Sequence, residues 1–150
     1  MVVGVVNQQP FTLRYGLDLG RDSHARRLRC DLDAGRHLDL FRSGEGEWTT
    51  PGGELLPLLQ GCTDVDLRAT PLTNTLPLRR LSLRVGEHHE VRAVWVDIPS
   101  LEVQATRQRS TRTGDTSYLY ENLGNGYSNE ITVDEQGLVT LYPGAFERLA

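Results

Sequence analysis

The side chains that could do chemistry are scattered along this chain, and none of them falls into a recognised catalytic spacing. No serine stands at the centre of a Gly-x-Ser-x-Gly turn, the motif of many hydrolase nucleophiles. The only dense group of metal-ligand types is Glu87-His88-His89-Glu90. Adjacent residues of a strand point to opposite faces, so His88 and His89 would not readily share one ion. We therefore predict no catalytic residues, no metal site and no cofactor, with an unrecognised hydrolase kept as an alternative.

The arginines are the strongest candidates for ligand contacts. All 16 basic residues are arginine, and the planar guanidinium suits carboxylates and phosphates. On a continuous strand Arg107 and Arg109 would share a face, and beside Trp95, Tyr118 and Tyr120 they could hold an anionic or sugar head group. The alternative, which the pattern alone favours, is an exposed arginine face paired with acids of the neighbouring strand.

The net charge and the N-terminal residues limit the partners and the cellular compartment that we predict. A net charge of −4 argues against nucleic acid as the main partner. Met1 leads into five small apolar residues, 2–6, without the basic start and length of a signal peptide. No run approaches the roughly 18 apolar residues of a membrane span. Cys30 and Cys62 do not show the Cys-x-x-Cys spacing of a zinc site. We predict a cytoplasmic protein without a membrane span, in which both cysteines are buried thiols.

The elements that must position these side chains are mostly strands. From Phe11 to Leu19 every odd residue is apolar and every even residue is polar or glycine, which is typical of a half-buried strand. Comparable runs, separated by turn residues, follow at 27–33, 37–41, 64–69, 90–98, 101–104, 118–120, 131–134 and 138–142. A helix is expected to begin near Pro77, and a short helical turn at 53–59. The 150 residues predict a single, mainly antiparallel all-β domain, built as a sandwich, a barrel or a curved sheet.

One segment is too specific to be generic. Residues 64–81 read DVDLRATPLTNTLPLRRL, and this segment closely resembles a signature of the putative glycolipid-binding family, a bacterial group formerly described as a domain of unknown function. Further matching segments follow in the family's order at 91–96, 99–101, 108–109, 118–120, 133–139 and 142–144. The resemblance covers essentially the whole chain and is strongest from Cys62 onward.

The resemblance implies a fold similar to that of bacterial lipoprotein carrier proteins. This would be a curved antiparallel sheet or half-open barrel of about 9–11 strands, with one or two short helices or lid loops. Residues 70–81 would lie as a lid-like loop and helix against the concave face. The implied function is non-catalytic binding of a glycolipid or another lipid. Family members begin with an additional stretch ahead of the segment matching 2–19, so we expect this chain to lack it and to expose an apolar edge strand.

The residues that we predict to bind the ligand combine arginines, aromatic rings and the polar residues of the signature. They are Asn74, Thr75, Arg79, Arg80, Trp95, Arg107, Arg109, Tyr118, Tyr120 and Tyr142. The main alternative is a structural or protein-interaction domain whose concave face is filled by side chains. The identity of the ligand and the oligomeric state stay open at this point.

Overall fold

The computed structural model describes residues 1–6 and 8–149, and its fold class is mainly β, as predicted. The described residues form twelve strands, one α-helix and two short 3-10 turns at Asp33–Gly35 and Pro57–Leu59. The strands are β1 (Val2–Val6), β2 (Gln9–Leu19), β3 (Ala25–Leu32), β4 (His37–Arg42), β5 (Trp48–Thr49), β6 (Asp64–Leu67), β7 (His88–Val96), β8 (Val103–Arg112), β9 (Ser117–Asn122), β10 (Ser128–Val133), β11 (Val139–Tyr142) and β12 (Phe146–Glu147), and the helix is α1 (Leu72–Leu81).

Strands β1 to β5 form an antiparallel meander, here called the N-terminal sheet. The alternation seen in the sequence places Leu13, Leu28 and Cys30 in its core, where each is fully buried. The predicted hairpin between 27–33 and 37–41 is confirmed, with Leu28 opposite Leu40. Strand β1 is the outer strand of this sheet, and its Val3 and Val5 are 68% and 67% exposed.

Strands β6 to β12 form a curled half-barrel, here called the curled sheet, in the order β12-β11-β10-β9-β8-β7-β6. All its neighbours are antiparallel except β6 and β7, which run parallel. One face of β6 and β7 carries Val65, Leu67, Val94 and Val96, which pack into the core of the N-terminal sheet. The opposite, inner face carries Asp66, Trp95 and Gln104 as register partners on three adjacent strands.

Helix α1 begins at Leu72, so the expected start near Pro77 is wrong, and Pro77 lies inside the helix. Two threonine hydroxyls fix the start of the helix. The Thr70 hydroxyl accepts a hydrogen bond from the Leu72 N–H at 3.3 Å, and the Thr73 hydroxyl accepts one from the Leu67 N–H at 3.1 Å. These bonds tie the first turn to the end of β6.

The helix crosses the inside of the curl. It contacts β6 near one edge of the curled sheet and β11 near the other. Leu78 packs with Tyr118, Tyr120, Ile131, Val133, Val139 and Tyr142, which form a second apolar cluster on the inner face. The expected placement of 70–81 against the concave face is therefore confirmed. None of the helices in the described part of the chain has the length and apolarity needed to cross a membrane.

Candidate ligand cavity

A cavity of about 880 Å³ lies where β1 and β2 of the N-terminal sheet meet the inner face of the curled sheet. This volume falls within the roughly 300–1,000 Å³ that is usual for small-molecule sites. Its lining residues come from both sheets, from α1 and from four connecting loops. They are Val2, Val3, Gly4, Val5, Phe11, Asp66, Leu67, Arg68, Ala69, Thr70, Asn74, Trp95, Ile98, Gln104, Tyr120, Asn122, Asn125, Tyr127, Tyr142, Gly144, Ala145 and Phe146.

One wall of the cavity is apolar and comes mainly from β1 and β2. Val2, Val5 and Phe11 line it, and Ile98 adds a buried side chain. The Phe11 ring lies directly against Gly4, where an added Cβ would be only 2.6 Å from the ring. A glycine is therefore required at this position for the ring to rest on β1. This wall offers hydrocarbon contact to an apolar chain.

A second group of lining residues, here called the polar wall, consists of uncharged polar side chains. The amide side chains of Asn74, Gln104, Asn122 and Asn125 line it, together with Tyr127. Primary amides offer both hydrogen-bond donors and acceptors, which suits a ligand rich in hydroxyl groups. Half-buried Trp95 also lines the cavity, and indole rings are large apolar surfaces with one polar edge.

Asp66 is the acidic residue among the described lining residues of the cavity, and it is only 9% exposed. The Gln108 amide donates a hydrogen bond to its Oδ2 at 2.7 Å, and the Tyr120 hydroxyl donates to the same oxygen at 3.4 Å. The Thr73 hydroxyl lies 3.5 Å from Oδ1. Burial raises the pKa of Asp66, and these hydrogen bonds oppose the rise without cancelling it.

Four aromatic residues of the cavity lining pack on one another. The ring of Tyr120 lies 6.3 Å from that of Tyr127 and 6.2 Å from that of Tyr142, and Tyr142 lies 6.3 Å from Phe146. Such tilted and edge-on pairs are favourable arrangements for aromatic rings. Burial raises the pKa values of Tyr120 and Tyr142 above that of a solvated tyrosine, so both hydroxyls are neutral hydrogen-bonding groups.

Arg68 is the arginine of the cavity lining in the described part of the chain. Its side chain is 59% exposed, and its Nη1 lies 2.6 Å from Oδ1 of Asp97. Because this guanidinium is solvated and already paired, the cavity holds no buried cation among the described lining residues. The site therefore differs from the arginine-rich head-group site that the sequence suggested.

Four of the ten predicted ligand-binding residues meet at the cavity: Asn74, Trp95, Tyr120 and Tyr142. Thr75 and Arg79 lie on α1 but outside the lining, as does Arg80. Thr75 is fully buried and its hydroxyl accepts a hydrogen bond from the Val139 N–H at 3.3 Å. Arg79 is exposed.

The other predicted residues lie apart from the cavity. Arg80 is bound to Asp64, with two nitrogen–oxygen distances of 2.7 and 2.8 Å. Arg107 pairs with Glu90 at 2.9 Å, and Arg109 pairs with Glu121 at 2.8 and 3.0 Å. These last two pairs join neighbouring strands, as in the alternative interpretation of the arginine face. Tyr118 is buried in the apolar cluster beneath α1.

Sequence reasoning missed Asp66, Gln104, Gln108, Asn122 and Tyr127. The acids of 64–69 were expected on a solvent-facing side, because they alternate with Val65 and Leu67. That expectation is wrong, since all four residues of β6 are buried. The sequence did contain a signal for this burial. Asp64 and Asp66 come immediately before the 70–81 segment, whose helix folds over them.

Metal-ligand side chains do not gather at this site. Across residues 1–6 and 8–149, no three side chains of His, Cys, Asp or Glu lie close enough together to hold a metal ion. His88 and His89 are exposed at the start of β7. Cys30 and Cys62 are buried and not disulfide-bonded, as predicted.

Comparison with known proteins identifies the family and agrees with the fold. Residues 1–148 match the family model described as "Putative glycolipid-binding". Among solved structures, the chain is similar to the crystal structure of a DUF1089 family protein from Pseudomonas aeruginosa, with a TM-score of 0.84 and 42% sequence identity. That match covers 95% of this chain and 80% of the other. No curated protein matches the chain.

Proposed function

The chain belongs to the putative glycolipid-binding family, and from that premise we propose that it binds an amphipathic lipid, such as a glycolipid, in the 880 Å³ cavity without converting it. The observation that carries this proposal is the division of the lining into two walls. Val2, Val5 and Phe11 supply an apolar wall, whereas Asn74 and Gln104 belong to a polar and uncharged one.

Each wall would bind one part of an amphipathic ligand. Burying an alkyl chain against the apolar wall would contribute about 0.8 kcal/mol for each CH₂ group removed from water. The amides of the polar wall would orient the head group through hydrogen bonds, and Trp95 supplies a ring face beside them.

A structural domain with a filled concave face is less compatible with this geometry. That alternative requires side chains to occupy the inner face and leave less than the roughly 300 Å³ of a small ligand site. The cavity is almost three times that volume. Another part of the inner face is filled where Leu78 packs on Tyr118 and Ile131.

A hydrolase receives partial support from Asp66. A buried carboxyl with a raised pKa in a cleft is a common feature of catalytic sites. However, the side chains that hydrogen-bond to Asp66 are those of Gln108, Tyr120 and Thr73. None of these is a base that titrates near neutral pH. The geometry therefore favours binding over catalysis.

Mass spectrometry of an organic-solvent extract from the purified protein tests this function. We expect one class of lipid at close to one molecule per chain. Asn74→Leu, which removes an amide from the cavity wall, should reduce the amount retained. Arg79→Ala is the matched control, because Arg79 lies on the same helix but is exposed and outside the cavity lining.

Two results would contradict the proposal. The first is an empty extract from folded protein whose melting temperature is also unchanged by added glycolipids. The second is equal lipid retention by wild type and Asn74→Leu, with circular dichroism confirming that both are folded.

A further inference from the structure

Asp66 has an unusual environment for a carboxyl group on a cavity wall. Its side-chain partners, Gln108, Tyr120 and Thr73, are all uncharged. Arg68, the nearest arginine along the chain, pairs with Asp97 instead. An ionised carboxylate in this place would be buried without a counter-ion, which is strongly unfavourable.

We propose that Asp66 retains its proton and donates a hydrogen bond to an uncharged oxygen of the ligand, so that the cavity selects a neutral, hydroxyl-rich head group over an anionic one. This inference rests on the proposed function, because it names the class of head group that the same cavity accepts.

The two carboxyl oxygens of Asp66 are not equivalent. Oδ2 accepts the short hydrogen bond from Gln108 and the longer one from Tyr120. Among residues 1–6 and 8–149, Oδ1 has only the Thr73 hydroxyl at 3.5 Å, which is long for an O–H···O hydrogen bond. The same hydroxyl already accepts from the Leu67 N–H and lies 3.3 Å from the Thr70 carbonyl oxygen. The proton therefore belongs on Oδ1, where it has no strong acceptor within the protein.

The titratable groups around Asp66 do not supply a compensating charge. Tyr120 of β9 and Tyr142 of β11 are both neutral, because burial raises their pKa values. Asp64, two residues earlier on β6, is paired with Arg80 of α1. Thr73 of α1 and Gln108 of β8 do not titrate. Burial accordingly raises the pKa of Asp66, so that the protonated form persists to a higher pH than in a solvated aspartic acid.

This environment also excludes an anionic head group. A phosphate or sulfate beside Asp66 would be removed from water without a buried cation to receive it. A sugar hydroxyl or an ester carbonyl would instead accept the Asp66 proton and also bond to the amides of Asn74 and Gln104. Specificity then follows because a neutral acceptor bonds to the buried donor without bringing an unpaired negative charge out of water.

Isothermal titration calorimetry with three octyl probes, each below its critical micelle concentration, tests this inference. The probes are octyl β-D-glucoside, octyl sulfate and octylammonium, which share a chain and differ in head-group charge. We expect the glucoside to bind at least about tenfold more tightly than the sulfate, a difference of about 1.4 kcal/mol. The glucoside affinity should fall as pH rises through the raised pKa of Asp66 and should be constant below the ordinary aspartate pKa of about 4.

Two variants identify the titrating group. Asp66→Asn replaces the carboxylic acid by a neutral amide that keeps a donor, so its glucoside affinity should no longer depend on pH. Asp134→Asn is the matched control, because Asp134 lies outside the cavity lining and pairs with Arg148 at 2.7 Å. It should keep the wild-type pH profile.

The outcomes separate this inference from the proposed function. Equal affinities for glucoside and sulfate, or the same pH profile in wild type and Asp66→Asn, would overturn the role of Asp66 but leave lipid binding intact. If octylammonium binds most tightly, with an affinity that rises with pH, Asp66 acts as an ionised counter-ion. This result would also overturn the proposed role of Asp66 as a hydrogen-bond donor. Binding of none of the probes, or binding unaffected by Asn74→Leu, would overturn both.

Discussion

Arg80 of α1 and Asp64 of β6 form a two-pronged ion pair, with an Nη1–Oδ1 distance of 2.7 Å and an Nη2–Oδ2 distance of 2.8 Å. Arg80 Nη1 also donates to the Ser23 carbonyl oxygen at 3.2 Å. The side chain of Arg80 is 15% exposed and that of Asp64 is 6% exposed. The pair thus joins the C-terminal part of the helix to the edge of the curled sheet and to the loop before β3.

Asp64→Asn is expected to destabilise the fold, because it leaves the Arg80 guanidinium buried without its counter-ion. Breaking a buried pair by removing one partner typically costs about 3 kcal/mol or more. Urea unfolding followed by circular dichroism measures the change. Arg68→Ala is the control, since its pair with Asp97 is 59% exposed on the arginine side and should contribute less than about 1 kcal/mol. Similar losses in the two variants would contradict this role of the Arg80–Asp64 pair.

Asp66→Asn should change how stability depends on pH. A carboxyl whose pKa is raised by folding stabilises the protein below its unfolded pKa, and that contribution is lost as pH rises through the folded pKa. The melting temperature of Asp66→Asn, relative to wild type without ligand, should therefore increase as pH rises from about 4 to 8. Differential scanning calorimetry across this range gives the measurement.

The control for this pH effect is Asp39→Asn. The hydrogen bond from Arg27 holds the pKa of Asp39 below its ordinary value. Its stabilising contribution is present above the unfolded pKa and is lost as pH falls through the lower folded pKa. Asp39→Asn should be less stable than wild type at neutral pH, by a margin that shrinks only below about pH 4. A difference for Asp66→Asn that stays flat or falls with pH would contradict burial of that carboxyl.

Thr75→Val removes the hydroxyl that joins α1 to β11. The Thr75 Oγ1 accepts a hydrogen bond from the Val139 N–H at 3.3 Å, and the side chain is fully buried. Leaving a buried N–H without its acceptor costs about 1–3 kcal/mol. Thr50→Val provides a control of equal bond length, because Thr50 Oγ1 accepts from the Glu54 N–H at 3.3 Å in an exposed turn. In chemical denaturation Thr75→Val should lose clearly more stability, and equal losses would argue against helix docking through this bond.

The two thiols should be unreactive in the folded protein. Cys30 and Cys62 are fully buried, and burial raises the pKa of Cys30 to about 12 and raises that of Cys62 as well. The thiolate is the reactive form, so alkylation by iodoacetamide near pH 8 should proceed only through unfolding. Mass spectrometry should show two modified cysteines in urea and almost none without it. Rapid modification of either residue in native buffer would contradict its burial.

The period-2 alternation was sufficient to predict the strands, because the two faces of a strand differ in polarity when only one of them is dry. The hairpin of β3 and β4 was located in this way, whereas the alternation at 101–104 reached only the start of β8 (Val103–Arg112). The helix start was not located, because one of the hydrogen bonds that fix it joins the helix to the preceding strand. The Thr73 hydroxyl bonds to the Leu67 N–H of the preceding strand, and that contact exists only after the chain has folded back.

The sequence by itself determined the all-β class, the family and the burial of Cys30 and Cys62, since each of these depends on local patterns or on one long signature. Only the tertiary structure decided which polar residues reach the cavity. Asp66 and Gln108 are 42 positions apart and meet because β6, β7 and β8 are neighbours in the curled sheet. Arg80, Arg107 and Arg109 lie outside the cavity lining. Each of them pairs with an acid, which is Asp64 of β6, Glu90 of β7 and Glu121 of β9, respectively. Alternation shows that a strand has two faces, but what covers each face depends on long-range packing.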